Sequence, residues 1–373
     1  MNQEKIKVFW ATPDTSLLGN ALGYATHNKF MKKFCEKYFE YTQEADIAIT
    51  ITPANFFIPV PGKFNILFTM WETLDIPNEY IIGLDRADLI VVPCRFCKDL
   101  FKGITETPVV ICNEGIVSES YPFYQRRLPK NEEKFRFLWV GAPNPRKGFP
   151  VLLEAIKFFE KYPRVEIYLK TTFQKPDRAE WVKKLWHGRK QMRSTTQGKE
   201  DFKNMFSRMK DPRFGLEEKV DISGMHNNVV MDTRRLSFDE LIELYNSAHC
   251  FVLPHCGEGW GLTLNEAMAT GAPCISGEYT ACGDFFDNEV GFPIGYELKE
   301  SKIANYGNMK SRIFVPSVQD TIQQMINVIQ NYEYALSKGK KASERVHKRY
   351  TWDRAASRLD DIVRKYSPQR VGV

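Results

Sequence analysis

The sequence contains no long hydrophobic run, although 43% of its 373 residues are hydrophobic. A membrane-spanning helix needs about 20 consecutive apolar residues, and no segment approaches that length. The polar residues at the start of the chain also differ from the charged and then apolar pattern of a secretory signal. These absences predict a soluble, cytoplasmic protein, with peripheral attachment to a membrane as the alternative localisation.

A cysteine framework is also missing. The eight cysteines lie mostly within or beside apolar runs, where free thiols pack as small hydrophobic groups, so disulfides are not expected. Cys94 and Cys97 form a single Cys-x-x-Cys motif without a second pair or a nearby histidine. The motif therefore indicates a structural role, and neither a zinc site nor a redox centre.

Alternating strand and helix patterns occupy two separate parts of the chain. The first begins with the apolar run 6–11 and ends near residue 114, and the second begins near residue 134. Residues 115–133 between them are polar and include two prolines, which is typical of a linker. The pattern predicts an α/β fold with two doubly wound parallel sheets, since the chain is long enough for two domain cores.

A glycine-rich stretch late in the chain carries the strongest functional signal. The apolar run 250–253 stops at Pro254, three glycines follow, and helix-forming residues resume at Leu262. This order predicts a strand, a glycine loop and a helix. The first turn of such a helix offers unpaired backbone N–H groups and the positive end of its dipole, which suit a phosphate.

Two glutamates bracket this loop, Glu258 within it and Glu266 inside the helix. Phosphate binding alone does not call for negative charge, whereas an ionised carboxylate accepts hydrogen bonds from neighbouring hydroxyls of a ribose or sugar. For Glu266 an alternative stays open, because Thr263 and Glu266 also have the spacing of a capping box. Together these features predict a nucleotide-sugar site.

Two adjacent cations, Arg146 and Lys147, follow the strand predicted at 137–140 and precede the helix predicted at 151–159. Cations stabilise the C-terminus of a helix rather than its start. Their position therefore indicates that an anion binds beside them, with a solvated cationic surface as the alternative.

The phrase Glu258-Gly-Trp-Gly-Leu, followed by Asn265-Glu-Ala-Met-Ala-Thr-Gly-Ala-Pro, resembles the paired-glutamate motif of retaining glycosyltransferases of family four. The resemblance covers most of the chain and implies the GT-B fold, in which two Rossmann-like domains face each other across a cleft. It implies an acceptor-side domain at 1–114, a nucleotide-sugar domain at 134–350, and a final helix at 351–373 that packs back on the first domain.

The same resemblance implies a hexosyltransferase that uses a UDP- or GDP-sugar as donor and retains the anomeric configuration. Glu258 would hold a hydroxyl of the donor sugar, Glu266 the ribose, and Arg146 with Lys147 the diphosphate, without a metal. The lack of an Asp-x-Asp cluster agrees with metal independence. The glycine loop and first helical turn complete the implied donor site with Gly259, Trp260, Gly261, Leu262 and Thr263. Where the family often has an earlier arginine, this chain has Ala142.

The remaining candidates lie in loops that follow strands, and the resemblance implies their roles. They are Gly19 and Asn20 near the diphosphate, Glu72 near the acceptor hydroxyl or donor sugar, and Arg235 and Leu236 near the base. Trp71 stands where the family often has a histidine. For Gly19, Asn20 and Glu72 an ordinary structural role is the alternative.

The net charge of +6 and a basic stretch at 178–213, interleaved with aromatic residues, permit an anionic partner. Nucleic acid and an anionic membrane surface are the functional interpretations, and a solvated helix face is the structural one. The expected acceptor is a glycan, a lipid or a small molecule. Two alternative functions remain: a sugar transferase acting on modified bases of DNA, and a non-catalytic nucleotide-sugar binding protein.

Overall fold

The computed structural model describes residues 4–11, 22–130, 133–171, 228–232, 234, 236–303 and 309–368. Within these ranges the chain forms two parallel six-stranded sheets and an antiparallel hairpin. No helix in them combines the length and the apolar character needed to cross a membrane. All eight cysteines are buried and free, as predicted.

The first sheet has the order β2-β1-β3-β4-β5-β6, with all neighbouring strands parallel. Its strands are β1 (Ile6–Ala11), β2 (Phe39–Tyr41), β3 (Ile47–Ile51), β4 (Phe64–Phe68), β5 (Leu89–Val92) and β6 (Val109–Ile111). The accompanying helices are α1 (Leu22–Cys35), α2 (Asn78–Leu84) and α3 (Arg95–Lys102). Every residue of β3 and β5 is buried, because a parallel sheet in this architecture is covered on both faces.

The second sheet has the order β12-β11-β10-β7-β8-β9 and is also parallel throughout. Its strands are β7 (Phe135–Val140), β8 (Val165–Lys170), β9 (Val229–Asp232), β10 (Cys250–Leu253), β11 (Cys274–Ser276) and β12 (Phe292–Pro293). Its helices are α4 (Phe149–Phe159), α5 (Phe238–Ser247), α6 (Leu262–Ala269), α7 (Val318–Gln330) and α8 (Tyr332–Arg349). Two doubly wound parallel sheets confirm the predicted fold class.

The order of the second sheet reverses between β7 and β10, which lie side by side. In open α/β sheets, ligands bind outside the carboxyl ends of the strands at such a switch point. The chain leaves β7 towards Arg146 and Lys147, and it leaves β10 towards the glycine loop. The topology therefore brings the two predicted halves of the donor site to one edge of the sheet.

Two elements differ from the sequence prediction. The helical pattern of the sequence from about residue 20 to 39 predicts one helix, but α1 ends at Cys35 and Phe39–Tyr41 forms the short edge strand β2. An antiparallel hairpin, absent from the prediction, joins β13 (Tyr296–Ile303) to β14 (Met309–Pro316). Its sequence alternates charged residues on both strands, so the apolar period that identifies a strand is weak. The sequence at 219–222 predicts a further strand, which lies outside the described residues.

The last helix, α9 (Trp352–Tyr366), crosses to the first domain. The Thr351 side chain caps it, and Thr351 forms a parallel bridge with Ile116. The Trp352 ring stacks on Phe30 of α1 at a centroid distance of 5.6 Å. These contacts tie the end of the chain to the first sheet's helices. The exact domain bounds stay a prediction.

Candidate active site

The cations follow β7 in a turn that lies directly on the end of β10. Residues Pro145–Lys147 form a short 3-10 helix, whose Asn144 cap accepts a hydrogen bond from the Lys147 N–H at 3.0 Å. Gly148 ends this turn at φ +67°, and a Cβ there would meet the Pro254 carbonyl oxygen at 1.5 Å. Only glycine fits this close approach and left-handed geometry. The turn thus sets both cations beside the glycine loop.

The glycine loop contacts the first domain as well as the cations. A Cβ on Gly257 would lie 2.1 Å from the Glu72 carbonyl oxygen, so the two backbones touch. Gly261 is the N-cap of α6 at φ +94° and provides no capping side chain. The first turn of α6 therefore keeps the orphan N–H groups expected of a helix start.

Four charged groups meet at this point, three from the second domain and one from the first. Lys147 Nζ donates to both carboxylate oxygens of Glu258, at 2.6 and 2.7 Å. Arg146 Nη1 lies 2.9 Å from Glu72 and 3.7 Å from Glu258, and it donates to the Gly257 carbonyl at 2.9 Å. The structure therefore brings together Glu72, Arg146, Lys147 and Glu258, which the sequence proposed separately.

The pKa values of the Glu258 and Glu72 carboxyl groups are shifted in opposite directions. Burial alone would raise the pKa of Glu258. Lys147 and then Arg146 together lower it by more, so the pKa of Glu258 lies below its ordinary value. Burial raises the pKa of Glu72 above its ordinary value; Arg146 offsets part of that rise, and the neighbouring Glu258 adds a smaller increase. Glu258 is therefore the more strongly ionised carboxylate of the pair. About a third of the Glu72 side chain is exposed, which keeps it accessible from the cleft.

Glu266 does not cap the helix. Its carboxylate accepts a hydrogen bond from the Tyr245 hydroxyl at 2.7 Å, and it also interacts with the Tyr121 hydroxyl. The capping-box alternative from the sequence is wrong, because α6 starts one residue before Thr263 and its cap is Gly261. Glu266 instead lines a cavity of about 190 Å³, together with Leu262 and Tyr121.

The other residues of the glycine loop and the first turn of α6 differ in how their side chains are buried. Trp260 is 1% exposed and its ring packs between Phe285 and Tyr350, so its side chain belongs to the core. Among the described residues, Trp260 Nε1 and Thr263 Oγ1 have no hydrogen-bond partner. Thr263 Oγ1 is thus a buried polar atom in the first turn of α6 that a ligand can satisfy.

Several predicted residues lie elsewhere. Gly19, Asn20, Arg235 and the basic stretch 178–213 lie outside the described residues. Leu236 lines a cavity of about 260 Å³ with Asp232 and Arg234, separate from the one that contains Glu266. Trp71, in the place of the family's histidine, is buried, and its Nε1 donates to the Asp75 carbonyl. Trp71 thus supports the turn that carries Glu72.

Sequence reasoning missed three contributors to this site. Thr280, at φ +52°, accepts a hydrogen bond from the Glu258 N–H at 3.2 Å. Such left-handed backbone is rare for a β-branched residue and often accompanies function. Tyr121 and Tyr245 hold Glu266. No local pattern marks these three residues, because each acts on a residue distant in the chain.

The hairpin β13–β14 reaches from the second domain to the segment that carries Glu72. Asp75 accepts hydrogen bonds from the Arg312 backbone N–H at 2.7 Å and from its guanidinium at 2.9 Å. Ser311 Oγ accepts from the Asp75 N–H at 3.1 Å, and the Leu74 N–H donates to the Arg312 carbonyl. The hairpin thus holds the Glu72 segment against the second domain.

The described residues contain no group of three or more His, Cys, Asp or Glu side chains arranged to hold a metal ion.

Two parallel Rossmann-like sheets with a site at the switch point define a GT-B fold. Residues 207–297, less than half of the chain, match the family model described as Glycosyl transferases group 1. The matched segment includes the glycine loop, Glu258 and Glu266. The comparison with curated proteins gave no match.

Solved structures of glycosyltransferases share the fold at low sequence identity. Sucrose-phosphate synthase from Thermosynechococcus elongatus is 16% identical, with a TM-score of 0.59 over 95% of this chain and 80% of that one. HepE from Anabaena, in complex with UDP and glucose, is 11% identical, with a TM-score of 0.60 over 97% and 100%. A glycosyltransferase from Rickettsia africae is 12% identical, with a TM-score of 0.60 over 98% and 99%. These similarities confirm the predicted GT-B fold.

Proposed function

We propose that the chain is a retaining glycosyltransferase that moves a hexose from a UDP- or GDP-sugar to an acceptor hydroxyl without a metal ion. The observation that carries the proposal is the meeting of Arg146 with Glu72 and Glu258, from opposite domains, at the switch point of the second sheet. Cations and carboxylates gathered in this way can hold a diphosphate beside sugar hydroxyls. The group 1 match and the fold shared with HepE in complex with UDP and glucose support this donor class.

The donor is proposed to lie between the cationic turn and the start of α6. Arg146, Lys147 and the backbone N–H groups of the first turn of α6 bind the diphosphate. Glu266 accepts the hydroxyls of the ribose, and Glu258 accepts a hydroxyl of the sugar. The lowered pKa of Glu258 supports this role, because only the ionised carboxylate acts purely as an acceptor.

In the proposed reaction, the bond between the anomeric carbon and the diphosphate oxygen breaks, and its electron pair leaves with the phosphate. Arg146 and Lys147 stabilise the charge that develops there. The acceptor oxygen bonds to the anomeric carbon on the face that the diphosphate leaves, and its proton passes to the departing phosphate oxygen. Attack on that face retains the configuration. Glu72, one-third exposed, contacts the acceptor hydroxyl or the donor sugar.

The acceptor is proposed to be a glycan, a lipid or a small molecule that enters from the side of the first domain. Transfer to modified bases of DNA is the less favoured function, because only the basic stretch 178–213 and the net charge of +6 point to it. Retention on DNA at low salt, falling steeply as salt is added, would favour it.

The first experiment is a thermal-shift screen of UDP- and GDP-hexoses. A true donor raises Tm, because it binds only the folded chain. The best donor is then incubated with the protein and candidate acceptors, with and without a chelator, and the anomeric configuration of the product is read by NMR. An inverted product contradicts retention, and activity lost with the chelator contradicts metal independence. A donor that binds but is neither transferred nor hydrolysed identifies the non-catalytic alternative.

A further inference from the structure

Two buried tyrosines converge on the carboxylate of Glu266. Tyr245, at 0% exposed, extends from α5, and its hydroxyl lies 2.7 Å from Glu266 Oε2. Tyr121, at 3% exposed, follows a short 3-10 helix (Ser118–Ser120) in the linker, and its hydroxyl interacts with the Glu266 carboxylate. The two rings pack edge to face at a centroid distance of 6.2 Å. The carboxylate is therefore held by elements from two different parts of the chain.

Both tyrosines can only donate to Glu266. Burial raises the pKa of each hydroxyl far above neutrality, and the adjacent carboxylate raises it further. Burial raises the pKa of Glu266 above its ordinary value, and the hydroxyls of Tyr245 and Tyr121 offset only part of that rise. Each hydroxyl acts as a donor towards Glu266, so the tyrosines favour the ionised form of that carboxylate.

Glu266 can still accept further hydrogen bonds, and it lies at the edge of an open cavity. A carboxylate has about four lone-pair positions, and two tyrosine donors use only part of them. Glu266 lines the cavity of about 190 Å³ between α6, the linker and α1, and most other lining residues, such as Leu262, Ile116 and Phe30, are apolar. The site thus offers one carboxylate in mostly apolar surroundings.

We propose that Tyr121 and Tyr245 are positioning residues, which fix the Glu266 carboxylate so that it accepts both hydroxyls of the donor's ribose diol. This inference rests on the proposed function, and it names the part of the donor that the tyrosines control. Because Tyr121 belongs to the linker, recognition of the diol also depends on the position of the segment that joins the domains.

The test compares the affinities of UDP and GDP with those of their 2′,3′-dideoxy counterparts by calorimetry. In the wild type, the ligand with the diol binds at least about tenfold more tightly, as expected for hydrogen bonds to a charged acceptor. Tyr245→Phe and Tyr121→Phe keep the rings but remove the donors. Each variant reduces this preference about threefold or more, while the affinity for the dideoxy nucleotide stays at the wild-type value.

Tyr168→Phe is the matched control, because Tyr168 also donates to a carboxylate, Asp232, at 2.8 Å in the same domain. Its preference for the diol stays at the wild-type value. If both tyrosine variants keep the wild-type preference, their role is only structural and the inference is overturned. A wild type that binds UDP and its dideoxy form equally also overturns the inference about the tyrosines. In that case, transferase activity still supports the proposed function. A wild type that binds no nucleotide overturns both.

Discussion

Lys147 Nζ donates to both carboxylate oxygens of Glu258, at 2.6 and 2.7 Å, although 111 positions separate the two residues in the chain. Glu258 is 4% exposed, so the pair is shielded from water on most sides. Shielded, charge-assisted hydrogen bonds are stronger and more directional than surface pairs. This pair is therefore the fixed point of the proposed donor site, and the first two predictions concern its members.

Glu258→Gln should lower kcat by about 100-fold or more, because the amide loses the charge that orients a sugar hydroxyl in the transition state. Nucleotide diphosphate binding should persist, since the ribose and phosphate contacts remain. Steady-state kinetics and calorimetry with the nucleotide measure the two effects. Glu278→Gln, at an exposed position in the loop after β11, is the control and should retain wild-type rates. Equal rates in both variants would refute the assignment.

Lys147→Met should lower kcat/KM at least about tenfold, which corresponds to about 1.4 kcal/mol of barrier. The reason is the loss of a cation that stabilises charge on the departing diphosphate. Lys157→Met, on the exposed face of α4 beside Glu154, removes the same charge away from the site and should have no effect. Unaltered kinetics for Lys147→Met would mean that another group binds the diphosphate.

Asp75→Asn and Arg312→Ala should each lower kcat several-fold, on the order of 3-fold to 10-fold, because the hairpin then no longer holds the Glu72 segment in place. The double variant should be no worse than the worse single variant, since both remove the same contact.

Lys310→Ala is the control, because it breaks a pair with Glu300 inside the hairpin. Thermal unfolding should change little, as the Asp75–Arg312 pair is largely exposed. Additive losses in the double variant would argue against a shared role.

Arg126→Met should lower the free energy of unfolding by about 3–5 kcal/mol. The guanidinium is 5% exposed and donates to the carbonyls of Tyr124, Ala248, Thr270 and Tyr245. Its removal takes a donor from each of these carbonyls, although those of Thr270 and Tyr245 still accept from the N–H groups of Tyr124 and Ala248. Urea denaturation measures the loss. The neighbouring Arg127→Met is the control, because Arg127 is exposed and its partners in the described part of the chain are Glu133 and its own segment. Similar midpoints for both variants would contradict the prediction.

His255 should make the protein less stable in acid. Burial lowers its pKa to about 4, from an ordinary value near 6.5. Between these values the unfolded chain binds a proton that the folded chain does not, so stability falls as the pH falls. The expected loss is about 2 kcal/mol between about pH 7.5 and pH 5. Urea denaturation at both pH values should give a smaller difference for His255→Gln. A variant with the wild-type pH dependence would show that another group is responsible.

Local chemistry in the sequence determined much of the second domain. The strand Cys250–Leu253, the glycine loop and the helix Leu262–Ala269 lie where the apolar run, the glycines and the helix formers predict them. The spacing of Ser237 and Glu240 in the sequence also predicts a capping box, and the structure contains it. Such features depend on residues a few positions apart, so their spacing alone specifies them.

The tertiary structure alone decided which side chains meet. The sequence offered Glu72, Arg146 and Glu258 as separate candidates, and the packing of two domains brings them within bonding distance. It left Glu266 between a cap and a ligand; the start of α6 at Leu262, with Gly261 as its cap, excluded the cap, and the tyrosines Tyr121 and Tyr245 approach the carboxylate instead. Contacts between residues far apart in the chain leave no periodic pattern in the sequence. The order of the strands in each sheet fixes these contacts, together with the paths of the linker and the hairpin between the domains. Local propensity encodes neither of them.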